Sequence, residues 1–132
     1  MTAPSAEGAA AAARYFVALY PYIFATGDLT EWDTLSADDC KYCINTRASV
    51  EDQIARGVRG EGSDITVASA MGTELSAGET YAADLEITQG PSFEVSADGT
   101  RTPDGEGGTF RLHLALIWHD GWQVRAVDAS RV

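Results

Sequence analysis

Between Tyr15 and Gly27 the chain carries no charge, and Phe16, Val17, Leu19, Tyr20, Tyr22, Ile23 and Phe24 spread over almost the whole circumference of a helix. A helix apolar on every side belongs in an interior, so the remaining elements must wrap around this one. The alanines at 9–13 favour nucleation, Ser5 is a suitable N-cap, and Glu7 suits the positive end of the helix dipole. We therefore expect a helix from Ser5 to Thr26, closed by Gly27 as a left-handed C-cap. Pro21 interrupts it, cannot donate to the Val17 carbonyl, and is expected to bend the helix at a cost of roughly 3 kcal/mol unless something packs into the kink. A bent central helix suits the concave side of a curved sheet. The run is too short to cross a bilayer, which requires about 20 apolar residues.

After Gly27 the segment from Asp28 to Ser36 reads as a short helix, capped by Asp28 or Thr30, with Leu29, Trp32 and Leu35 on one face. A third helix is expected from Asp38 to Arg56, with Cys40, Cys43, Ile44, Val50 and Ile54 inward and Gly57 ending it. Ser49 and Asp52 match a capping box, which allows a restart near Ser49. The sequence GVRGEG reads as a plain connection, lacking the spacing and preceding strand of a nucleotide-binding loop.

From Ser63 the hydrophobic period changes to two. Ile65, Val67, Ser69 and Met71 form one alternating series, and Tyr81, Ala83, Leu85 and Ile87 the next. Phe110, Leu112, Leu114, Leu116 and Trp118 form a third, and Trp122, Val124, Ala126 and Asp128 a fourth. Each series turns one face to a core. Asp120-Gly121 marks a tight hairpin, and the second strand continues past a bulge at Gly90-Pro91 through Phe93 and Val95. The stretch SADGTRTPDGEGG reads as a long mobile loop. The predicted architecture is α+β: three N-terminal helices packed in the concave face of a curved, mainly antiparallel four-stranded sheet. Residues 1–9 are expected to form a tether and residues 10–132 a single domain.

That order of elements resembles the nuclear transport factor 2-like superfamily, a cone-shaped fold shared by ketosteroid isomerase and many small binding domains. The segment ARYFVALYPYIFATGDLTEWDTLSADDCKYC also resembles an actinobacterial family of extracytoplasmic lipoproteins of unknown function, with its aromatic-rich helix, A-T-G-D turn and following C-x-x-C. The detailed similarity covers Ala12 to Gly57, and beyond it the strand order and the terminal W-x-V-x-x-V from Trp122 to Val127 agree. The resemblance implies a fold and a compartment outside the cytoplasm, because that family has no established activity. The opening MTAPSAEGAAAAA lacks the basic region and apolar core of a secretory signal. We expect a chain beginning after a removed leader, with Met1 as an added start and a lipid anchor on the full-length protein.

Charge narrows the partners. Twenty acidic residues against nine basic ones give a net charge of −11, scattered along the chain. Such a surface repels phosphate backbones and anionic lipids, so nucleic acid is not an expected partner, and membrane association is expected only through the lipid anchor.

Cys40 and Cys43 are the only cysteines. In an exported domain they form a disulfide closing a very small ring, worth roughly 2 kcal/mol. The alternatives are two reduced thiols, a dithiol redox site without the usual βαβ setting, or a zinc site recruiting His113 and His119. Asp38 and Asp39 would raise a thiol pKa, which disfavours a reactive thiolate. Asp98, Asp104 and Glu106 lack the spacing of a calcium loop. No metal and no cofactor is implied.

Enzymes with a cone-shaped fold place a carboxylate base inside the pocket, near a phenol or protonated acid that stabilises an oxyanion. Here the candidate base is Asp128, with Tyr15, Tyr22 or Tyr81 as the phenol, while Asp84 and Glu86 are expected to face solvent. The aromatic residues Tyr15, Tyr22, Trp32, Tyr42, Tyr81, Trp118 and Trp122 either line an apolar ligand cavity or simply fill the core. The leading expectation is a non-catalytic extracytoplasmic binding domain, taking a small apolar ligand in the cone or a protein partner, including a second copy, on its sheet. The rival is a small isomerase or hydrolase with Asp128 as base.

Overall fold

The computed structural model describes residues 4–132. Its first element, α1, spans Ala6–Thr26 and is capped at both ends as the sequence predicts. Ser5 Oγ accepts the Gly8 N–H at 2.9 Å. Gly27, at φ 75°, donates its own N–H to the Ile23 carbonyl. Pro21 lies inside the helix without ending it. Only one face of α1 is buried, along Ala9, Ala13, Phe16, Val17, Leu19 and Ile23. Tyr15 and Tyr22 are exposed, which corrects the expectation of a rod enclosed on every side. Their rings are amphipathic, and each hydroxyl donates to a carboxylate in water, Tyr15 to Glu31 and Tyr22 to Asp28. The expected tether is also corrected. Residues 6–9 form the first turn of α1 with Gly8 and Ala9 buried, and the first three residues of that tether lie outside the described residues.

Helix α2, Thr30–Leu35, has Leu29 at its N-cap without a side-chain cap bond, and Asp28 Oδ1, one residue earlier, accepts the Thr30 N–H at 3.1 Å. Helix α3 spans Lys41–Ala55 with Cys40 as N-cap, and it runs through Ser49 without restarting. Its buried stripe is Cys43, Thr46, Val50 and Gln53, at helical spacing of three and four. Ile44 and Ile54, expected inward, are 52% and 56% exposed. The anchor is Cys43, whose carbonyl accepts the buried Trp32 Nε1–H at 3.2 Å. With Cys43 turned inward, Ile44 is carried about 100° round the axis toward solvent.

The main sheet has the order β2-β3-β6-β7, all antiparallel, with β2 at Ile65–Ser76, β3 at Thr80–Gln89, β6 at Gly108–Trp118 and β7 at Trp122–Arg131. A second sheet, β1-β4-β5, was not expected. The presumed connection GVRGEG supplies β1 (Arg59–Gly62), and the presumed mobile loop supplies β5 (Arg101–Gly105), which pairs with β4 (Ser92–Val95). The hydrogen-bond ladder nevertheless passes through the join: the Ser63 N–H donates to the Pro91 carbonyl at 3.0 Å, and the Gly90 N–H to the Asp64 carbonyl at 2.9 Å. Gly62 and Ser63, at φ 85° and 60°, turn one arm of this long hairpin, and Gly90-Pro91 turns the other. The sheet thus rounds a corner and gives the helices a concave seat.

Two irregularities reverse which side chains face that seat. The β2–β3 register shifts between Val67 and Ser69, so Ala70 and Gly72 turn toward α1 while Met71 is 70% exposed. On β7, Leu116 pairs with Val124 but Ala115 with Ala126, leaving Arg125 as the extra residue. One inserted residue flips the alternation, so Val127 faces inward and Asp128 outward. The inward series Trp122, Val124, Ala126, Asp128 is corrected accordingly in its second half, as is the inward Met71.

Candidate functional site

The concave seat is not filled completely. Phe16 and Tyr20 from α1, Trp32 from α2, Tyr42 from α3, Phe110 from β6 and Val127 from β7 help to enclose a cavity of about 120 Å³. Phe16 stacks on Trp32 with ring centroids 4.2 Å apart, and the pair forms one wall. Tyr20, Tyr42 and Gln89 bring polar atoms to an otherwise apolar lining. Burial raises the phenol pKa of Tyr20, and the Asp104 carboxylate adds to it.

Beyond Tyr20 lies a larger open cleft of about 470 Å³, between the C-terminal half of α1, α3 and the small sheet. Tyr20 walls both spaces. The floor of the cleft is organised by Arg56, which donates to both Glu94 oxygens at 2.8 and 3.1 Å and to Asp52 at 2.9 Å. This fork ties α3 to β4 and, with the neighbouring Gln53 amide adding last, holds the Glu94 carboxyl below its usual range. Gln53 is only 6% exposed, and its Oε1 has no hydrogen-bond partner among the described residues. The cavity and cleft together form the strongest candidate site, with an apolar end, a polar end and one phenol between them.

The sequence matches the Family of unknown function (DUF6318) over residues 1–128. The chain belongs to the DUF6318 family. No curated protein sequence matches it significantly. Among solved structures, the DUF6318 chain is similar to the intermembrane space region of the chloroplast protein ARC6, with a TM-score of 0.68 at 12% identity, covering 98% of each chain. An uncharacterized protein with a cystatin-like fold from Caulobacter vibrioides aligns with a TM-score of 0.57 at 14% identity, over 95% of this chain and 90% of that one. ActVI-ORFA from Streptomyces coelicolor gives a TM-score of 0.57 at 16% identity, over 95% and 96%. At these identities the likeness concerns the fold, an α+β cone of the cystatin-like and nuclear transport factor 2-like kind. No described helix of the DUF6318 chain is long and apolar enough to cross a membrane.

Of the aromatic residues expected to line a cavity in this DUF6318 domain, Trp32 and Tyr42 do so. Tyr15 and Tyr22 lie on the solvent side of α1, seven residues apart on one stripe. Tyr81, Trp118 and Trp122 cluster elsewhere: Trp122 meets Tyr81 edge-on at 4.9 Å and Trp118 at 5.1 Å, and the Tyr81 hydroxyl donates to Glu74 at 2.9 Å. Tyr15, Trp118 and Trp122 border a shallow groove beside α1 rather than the cone interior. Tyr20 and Phe110 take the vacated places. The signal for Tyr20 was present, since it shares the Phe16 and Ile23 stripe at i+4 and i+7.

Asp128, the candidate base, is exposed on the outer sheet face, opposite His113 in the β6–β7 register. His113 Nδ1 lies 2.7 Å from Asp84 on the same face. Cys40 and Cys43 are joined as a buried disulfide with Cα atoms 5.2 Å apart, so neither offers a thiolate to zinc. Cys40 Sγ accepts the Cys43 N–H at 3.1 Å, making the sulfur itself the cap of α3. His119 is exposed at the β6–β7 turn.

Burial first, then the neighbouring Tyr20, pushes the Tyr42 phenol up to about 12. Its unfolded value is about 10. Below the unfolded value both states keep the proton; above it only the unfolded chain releases it, so stability falls as the pH rises toward the folded value. Urea midpoints measured across alkaline pH are expected to fall less steeply in Tyr42→Phe than in the parent. Identical slopes would place the phenol in water.

Proposed function

We propose that this chain is a non-catalytic binding domain that receives one end of a small apolar or amphipathic molecule in the cone. The observation that carries this reading is the partly empty cavity behind Tyr20, the one residue that lines both it and the outer cleft. Its volume is well below the roughly 300–1,000 Å³ of drug-sized pockets, so only the end of a ligand fits inside and the rest lies in the cleft. We further propose that the domain works outside the cytoplasm, on the outer face of an actinobacterial membrane, carried by a lipid anchor on the full-length protein. The buried disulfide supports an oxidising compartment. An export leader ending at a lipid-accepting cysteine in the gene would decide the anchor.

The rival isomerase or hydrolase with an inward base is the less supported reading, because Asp128 borders a groove on the outer sheet face and not the cavity. A partner protein or second copy on the outer face is the second reading, supported by Met71 at 70% and Leu75 at 63% exposure. The test of the first reading is a titration with 1-hexanol, followed by tryptophan fluorescence, because Trp32 lines the cavity. Saturable binding in the parent and its loss in Val127→Phe, which fills the space, is the expected pair. A linear response, or one that survives in Val127→Phe, would count against an internal ligand.

A further inference from the structure

We propose that the outer cleft takes the ammonium head of an amphipathic primary amine, with Gln53 Oε1 accepting a hydrogen bond from it and Asp104 supplying opposite charge. This rests on the binding reading above and assigns the chemical class of the ligand.

Gln53 is the point of departure. Its amide is buried, and a buried acceptor without a donor is destabilising. The Glu94 carboxylate lines the same cleft. An ionised carboxylate only accepts, so the Nε2 end belongs there and the Oε1 end is left as an acceptor. What the cleft lacks is therefore a donor.

Charge selects among donors. Four carboxylates line the cleft, Asp52, Glu61, Glu94 and Asp104, against the single guanidinium of Arg56. Arg56 engages Asp52 and Glu94, and Arg101 reaches in to Glu61 at 2.8 Å. Asp104 has no ion-pair partner among the described residues, and its charge already bears on Tyr20 at the mouth of the cavity. A head with N–H groups and a positive charge satisfies both Gln53 and Asp104; an alcohol satisfies only the first, and a carboxylate neither. The rings of Tyr20 and Phe24 in the same lining add faces suited to a cation. The hydrocarbon end then passes Tyr20 into the apolar cavity.

The test compares n-hexylamine, 1-hexanol and n-hexanoate on the intact chain by isothermal titration calorimetry at neutral pH. Hexylammonium is expected to bind about tenfold or more tightly than hexanol, with no detectable hexanoate binding. The surface variant Asp104→Asn should lower hexylamine affinity toward that of hexanol while leaving hexanol unchanged, and Gln53→Leu should weaken both probes. Equal affinity for amine and alcohol, or an amine preference intact in both variants, would overturn the head-group assignment and leave the cavity reading standing. If none of the three probes binds, both fall together.

Discussion

Gly72→Ala is expected to cost about 3 kcal/mol or more, the upper end of what an overpacked interior site loses. A Cβ on Gly72 would stand 1.8 Å from the Ala6 carbonyl oxygen and 3.2 Å from the Ala10 backbone nitrogen. Both are backbone atoms of the first turns of α1, so no side-chain rotation relieves the clash and the helix itself must lift. Gly60 has the same function at the other end, where an added Cβ would meet Phe24 Cβ at 2.7 Å. Between them Ala9, Ala13 and Ala83 are fully buried, which is how the helix axis approaches the sheet so closely. Gly78→Ala is the control: its φ of 70° makes alanine unfavourable by about 1 to 2 kcal/mol, but nothing lies within 4 Å. Urea unfolding should therefore separate the two variants clearly. If Gly72→Ala loses no more than Gly78→Ala, α1 is not seated on β2 as described.

Trp32→Ala should lose about 3 to 5 kcal/mol, the range for a large aromatic truncated in a core. Trp32 is 1% exposed, stacks on Phe16, lies tilted 6.3 Å from Tyr42, and donates to the Cys43 carbonyl. It thus joins α1, α2 and α3 through one side chain. Trp32→Phe keeps much of the ring contact and gives up the N–H, for about 1 kcal/mol from the hydrogen bond. A loss below about 1 kcal/mol for Trp32→Ala in chemical unfolding would mean that the three helices are held by something else. Because the same ring walls the cavity, the alanine variant also enlarges the space offered to a ligand. Hexanol affinity measured on its folded fraction should change along with stability.

How far the site was legible depends on the element. The caps of α1 are local devices: a serine oxygen three residues from its donor and a glycine that tolerates positive φ need no tertiary partner to be recognised. The hairpin at Asp120-Gly121 and the alternation of Leu112, Leu114 and Leu116 belong to the same class. The helical stripe of Phe16 and Ile23 places Tyr20, whereas only aromatic composition points Tyr15 and Tyr22 toward the cavity. Gln53 had only the faint signal of sharing the inward stripe of Val50, and a polar residue on such a stripe reads as solvent-facing until the packing is known.

From its own residues this chain determined the long capped helix and the run of antiparallel strands, because each is set by contacts within a few positions or by a repeat along the backbone. Tertiary structure alone decided the second sheet, since β1 and β5 are short polar strands that acquire meaning only beside β4. It also decided which way Met71 and Asp128 point. A single extra residue in a strand exchanges its two faces, and that residue is absorbed wherever the neighbouring ladder permits, which no periodicity within the strand records.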